Sequence, residues 1–123
     1  MKVVLIGPNP ILNKGLSLFL RKHKSVELVK SFTEFEYFLL SYSNTMAQLF
    51  NVFILNISCI SSKQGIDYLR ILDSMVESGH IIVIYEKSEP SFSNSALNKN
   101  KITLFQIENN LKQFGSIIKS IQA

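Results

Sequence analysis

The sequence predicts an α/β fold in which five parallel strands form one sheet covered by helices on both faces. Three observations carry that expectation. Short apolar runs without polar alternation recur along the chain, the mark of strands buried on both sides. Stretches with a 3.6-residue apolar period lie between most of them. The two kinds alternate, which is the pattern of β/α units.

Val3–Ile6 is the first such run. Asn9 and Pro10 then announce a helix, because Asn can cap and Pro suits the first helical position. Ile11, Leu12, Leu16, Phe19 and Leu20 supply its apolar side over about 10–23. Arg21-Lys22-His23-Lys24, the densest basic stretch, reads as a helix end, where cations complement the dipole. Val26–Val29 is a weaker second strand. Phe32 to Tyr37 offers a T-x-x-E capping box in Thr33 and Glu36, with Phe32 and Tyr37 as the staple around it. The helix this predicts buries Phe35, Phe38, Leu39, Tyr42, Met46 and Leu49, a stripe that reads as core.

Val52–Leu55 is the third strand, followed by a helix from about Gln64 with Ile66, Leu69, Leu72 and Val76 inward and a Ser78-Gly79 stop. Ile81–Tyr85 is the most strand-like run of all. The polar tract between Glu86 and Lys101 limits any helix to one or two turns around Ser93–Asn98, since Pro90 bars helical geometry at Glu89. Ile102–Phe105 is the fifth strand. Leu111, Phe114, Ile118 and Ile121 put one stripe on a last helix. Right-handed crossovers then favour a flavodoxin-like, doubly wound sheet of order 2-1-3-4-5. In such a sheet the strand C-termini form the functional edge. Gly7-Pro8-Asn9, Asn56-Ile57-Ser58-Cys59, Tyr85-Glu86 and Gln106-Ile107 surround it.

A chain of 123 residues with 46% apolar and 18% charged residues is expected to be a single domain, 1–123, burying roughly two-thirds of its unfolded surface. Cys59 is the only cysteine, which excludes a disulfide framework and fits a reducing cytoplasm. No run approaches the roughly 18 apolar residues of a membrane span, and the N-terminus lacks a signal-peptide core. A soluble, cytoplasmic protein without membrane contact is expected. The net charge is +4, but DNA contact needs basic residues gathered on one surface, and the densest basic stretch reads as a helix end, so no DNA contact by this domain itself is expected.

The stretch Val4-Leu5-Ile6-Gly7-Pro8-Asn9-Pro10-Ile11-Leu12-Asn13-Lys14-Gly15-Leu16 resembles the start of a response-regulator receiver domain. Members of the LuxR/NarL-type transcriptional regulator subgroup read strand, two acids, His-Pro, two apolar residues, two more positions, then Gly-Leu. Pro10, Gly15 and Leu16 fall on their counterparts. Asn51–Asn56 matches the phosphorylation strand, and Gly65-Ile66-Asp67-Tyr68-Leu69-Arg70-Ile71-Leu72 the entry to the following helix. The loop between them is one residue longer than usual and lacks the family's Pro. The resemblance spans the whole chain and implies the CheY-like version of the fold.

It also implies a degenerate member, a pseudo-receiver. A receiver moves a phosphoryl group onto an aspartate beside magnesium, an ion that wants hard oxygen ligands. Gly7 and Pro8 hold the two metal-acid positions and offer only backbone carbonyls. Asn56 holds the acceptor position, and an amide forms no acyl phosphate. Tyr85 replaces the Thr or Ser of the switch, and Gln106 or Ile107 the conserved Lys. No catalytic residue, metal or cofactor is expected.

Other readings of the edge are weaker. Two prolines remove donors that an anion at the first helix would need. Cys59 has no adjacent base, and neither His23 nor His80 has ligand spacing to a partner. Ser58, Ser61 and Ser62 form a polar loop. The missing base–nucleophile pair and phosphate loop argue against a flavodoxin-like enzyme.

The resemblance implies a regulatory and dimerisation module working without aspartyl phosphorylation, the N-terminal part of a LuxR-type regulator. DNA would then be met only through an output domain beyond Ala123. The expected partner is a protein, either a second copy or a regulatory protein. Ile11, Phe114 and Ile117 are candidates for a dimer face on the first and last helices. The alternative is a stand-alone protein-binding or ligand-sensing domain whose neutral crevice holds a small molecule.

Overall fold

The computed structural model describes residues 1–42, 47–58, 60–86, 101–107 and 111–122. Met46, Cys59, Glu89 and the short helix expected around 93–98 lie outside the described residues. The strands are β1 (Lys2–Ile6), β2 (Leu28–Phe32), β3 (Val52–Asn56), β4 (His80–Tyr85) and β5 (Ile102–Gln106). The described helices are α1 (Pro10–Arg21), α2 (Phe35–Ser41), α3 (Ser62–Met75) and α4 (Leu111–Gln122). All strand pairs are parallel, in the expected order β2-β1-β3-β4-β5.

Two apolar layers explain why the strands show no polar alternation. Val4, Ile6, Phe53, Leu55, Ile81 and Val83 pack with Phe38, Leu69 and Leu72 of α2 and α3. Their neighbours Val3, Leu5, Ile54, Ile82 and Ile84 pack on the other face with Leu16, Leu20, Phe114 and Ile118 of α1 and α4. Among the described residues no helix is long and apolar enough to cross a membrane.

Local expectations hold where a single element decides them. Asn9 caps α1, its Oδ1 accepting from the backbone N–H of Ile11 at 3.0 Å and of Leu12 at 3.1 Å. The helix ends at Arg21, two residues before the expected limit, because Lys22 and His23 bond back to Phe19 and Leu20 in a tighter turn.

They fail where a distant partner intervenes. β2 runs over 28–32, not 26–29: Val26 N–H is taken by His23 O, and Lys2 of β1 pairs with Leu28. It is an edge strand with only Val29 buried, so its apolar pattern is faint. The Thr33–Glu36 capping box does not form. α2 starts at Phe35 behind Glu34, which makes no side-chain cap bond, while the Tyr68 hydroxyl donates to Glu36. The α2 stripe also breaks, since Tyr42 is extended. Leu49 is exposed, and Ala47 and Phe50 fill the core instead. α3 begins two residues before Gln64, capped by Ser61. Leu111 is exposed, leaving Phe114 and Ile118 as the buried centre of α4.

His80 opens β4 half-buried, its Nε2 lying 2.6 Å from Thr103 Oγ1. Burial pushes its imidazole below the usual 6.5, so the fold favours the neutral ring. The unfolded chain therefore binds the proton more readily. Stability from this group is present above the unfolded value and is lost as pH falls through the folded one. Melting temperature is expected to drop between pH 7 and pH 5, and His80→Asn to flatten that slope. An unchanged slope in the variant contradicts the assignment.

Candidate functional site

The parallel register brings the strand C-termini to one edge. Gly7 follows Ile6 of β1, Asn56 pairs with Ile84, and Tyr85 pairs with Gln106. The five positions singled out by sequence, Gly7, Pro8, Asn56, Tyr85 and Gln106, thus lie along that edge.

Asn56 is 1% exposed. Its Oδ1 accepts from Ser58 N–H at 2.9 Å, which fixes the amide's orientation. Its Nδ2 is buried without a hydrogen-bond partner. Gly7 is glycine for space and not for conformation, since no described residue has a positive φ. A Cβ at Gly7 would come 2.8 Å from Asn56 Cβ and 3.1 Å from Asn13 Oδ1. Asn13, on the inner face of α1, donates from Nδ2 to Gly7 O at 2.8 Å and to Phe32 O at 3.4 Å. Its Oδ1 has no partner. Sequence reasoning missed Asn13. Its one signal was an amide set between the apolar positions of α1.

Two further bonds join the C-terminal ends of β4 and β5. Ile107 N–H donates to Tyr85 O at 2.7 Å, and Gln106 Nε2 to Glu86 O at 3.2 Å. Glu86 and Pro8 are exposed. On the α2 side the edge opens into a cleft of about 170 Å³, lined by Gly7, Asn56, Phe35, Ile60, Tyr68 and the Glu34–Glu36 segment among others. The Tyr68 ring stacks on Phe35, centroids 4.5 Å apart. Gln64 Nε2 donates to Tyr68 Oη at 2.7 Å, and that hydroxyl donates to Glu36 Oε1 at 2.7 Å. The bond holds the Glu36 carboxyl below its ordinary range and raises the Tyr68 phenol.

Among the described residues no three His, Cys, Asp or Glu side chains gather where a metal could be held. Neither Gly7 nor Pro8 has a side-chain oxygen, and the Asn56 oxygen is engaged by Ser58. These residues do not fit a magnesium ion.

The dimer-face candidates differ in exposure. Ile11 is 83% exposed, and Ile117 is partly buried against the α1/α4 layer. Phe114 is fully buried between Phe19 and Phe105, so it is core and no partner can reach it. Leu18, two turns along α1 from Ile11, is 54% exposed and was missed.

No protein-family model matches the sequence, and no curated protein does. Solved structures do. A response regulator receiver protein from Burkholderia phymatum is 18% identical, with a TM-score of 0.73 over 98% of this chain and 93% of its own. RcsB from Salmonella enterica serovar Typhimurium, bound to promoter rprA in the presence of phosphomimetic BeF3-, is 17% identical, with a TM-score of 0.76 over 100% and 99%. A signal receiver domain of a two-component histidine kinase from Clostridium thermocellum is 15% identical, with a TM-score of 0.75 over 98% and 95%. At these identities the likeness is one of fold, and the fold is that of receiver domains.

Proposed function

We propose that residues 1–123 form one receiver-type regulatory domain that works without aspartyl phosphorylation and is not an enzyme. The observation that carries this is the strand edge itself. The positions that the family resemblance assigns to two metal acids and a phosphoryl acceptor hold Gly7, Pro8 and Asn56, and Gly7 leaves no room for an acid's Cβ. Tyr85 and Gln106 stand at the degenerate switch positions, both engaged through neighbouring backbone. A magnesium-dependent transfer has neither ligands nor nucleophile there. The reading is tested by magnesium and a small phosphodonor, which are expected to leave the protein unmodified. Covalent labelling of β3 contradicts it.

In this reading the domain belongs to a cytoplasmic transcriptional regulator of the LuxR type, as a pseudo-receiver ahead of a DNA-binding domain. The likeness to RcsB, solved on promoter DNA, supports that setting. The partner is a second copy of the chain, met through the outer face of α1. Ile11 and Leu18 are exposed there, and Gly15 between them has open space where a Cβ would stand. Light scattering is expected to show a dimer that Leu18→Arg converts to a monomer. A strict monomer at high concentration removes the dimer and leaves a regulatory protein as partner.

A further inference from the structure

We propose that the cleft beside Asn56 binds a small uncharged molecule that offers a carbonyl or hydroxyl oxygen to the Asn56 amide. Its apolar body would lie against Ile60, Phe35 and Tyr68. The regulatory meaning of such a ligand rests on the reading above, and its chemistry rests on the cleft alone.

Size sets the first limit. A dry cavity of about 150 Å³ takes benzene, so about 170 Å³ suits a fragment of similar bulk. The polar contact is set by Asn56. Ser58 N–H pins its oxygen, so Nδ2 is left as a buried donor with nothing to donate to. Native folds seldom leave such a donor unpaired. Asn13 Oδ1 is also unpartnered and, like Asn56 Nδ2, lies within 3.5 Å of where a Gly7 Cβ would stand, but of the two residues only Asn56 lines this cleft. The ligand contact is therefore Asn56.

Charge sets the last limit. Among the described residues no Lys or Arg lines the cleft, whereas Glu34 and Glu36 do. Phosphate and carboxylate ligands meet only like charge there. An occupant would press on the Tyr68 ring, whose hydroxyl ties α3 to Glu36 of α2. Occupancy then reaches the outer helices through one hydrogen bond.

The test uses the 123-residue chain, isotopically labelled, with benzamide, 2-pyrrolidone and benzyl alcohol as probes. At least one is expected to shift the Asn56 side-chain amide and the Gly7 backbone amide saturably. Half-saturation is expected on the order of millimolar, as the binding of so few atoms allows. Benzoate, the anionic analogue of benzamide, should bind at least about tenfold more weakly, by like-charge repulsion from Glu34 and Glu36. Ile60→Trp fills the cleft while leaving residue 56 an asparagine and should abolish the shifts. Asn56→Asp keeps the Ser58 contact, removes the donor and should weaken binding about tenfold. The proposal is overturned if no probe gives a saturable shift. It is equally overturned if benzoate matches benzamide, or if either variant leaves binding unchanged. Phosphoryl labelling is read separately, so either idea can fail alone.

Discussion

Gly7→Asp, which puts a carboxylate back at the end of β1, is expected to destabilise the fold by about 3 kcal/mol or more. Two costs add. The new Cβ would stand 2.8 Å from Asn56 Cβ, so β1 and β3 must move apart at their C-terminal ends. Overpacking of this kind costs about 1–3 kcal/mol. The carboxylate would then enter a site where the nearest atoms belong to the Asn56 and Asn13 side chains, neither of them a cation. Urea unfolding measures the loss directly. Pro8→Asp is the internal control, because Pro8 is exposed and a charge there stays in water. It is expected to change stability by no more than about 0.5 kcal/mol. A mild Gly7→Asp, within about 1 kcal/mol of the parent, contradicts this description of the edge.

Lys101→Met is expected to cost about 2–4 kcal/mol, by removing one member of a poorly exposed ion pair. The Lys101 ammonium lies 3.2 Å from Asp73 Oδ1, with side chains only 16% and 15% exposed. The contact is an ion pair without aligned hydrogen-bond geometry, since Asp73 Oδ1 has no hydrogen-bond partner. The same ammonium donates to the backbone carbonyls of Asp73, at 3.0 Å, and Val76. One cation from the start of β5 thus closes the C-terminus of α3. Methionine keeps the apolar stem and leaves the carboxylate and two carbonyls unpaired. Adding Asp73→Leu should recover part of the loss, because the stranded charge goes with it. A loss below about 0.5 kcal/mol in Lys101→Met would show the pair to be an exposed one in practice.

The fold was legible because strands buried on both faces leave short apolar runs, and here these alternate with helical stripes. Val3–Ile6, Val52–Leu55 and Ile81–Ile84 are of that kind, and their helices carry the matching stripes. β2 was misplaced because an edge strand buries one residue and pattern has little to read. The capping box failed for a different reason. Its Glu36 found a phenol from α3 thirty-two residues away, which local spacing cannot foresee. Lys101 and Asn13 were invisible on the same grounds, since their partners lie 28 and 19 residues off. At the site, strand ends located Gly7, Asn56, Tyr85 and Gln106 on one edge. The crowding that forces glycine at 7, and the unpaired amide of Asn56, belong to the packing of β1 against β3.

The central claim is that this receiver fold takes no phosphoryl group, and intact mass after incubation with acetyl phosphate and magnesium tests it most directly. The parent chain is expected to keep its mass. Asn56→Asp, which supplies a carboxylate but no acid at Gly7 or Pro8, is expected to keep its mass as well. A magnesium-dependent gain of one phosphoryl group at the end of β3, in either protein, would contradict the account.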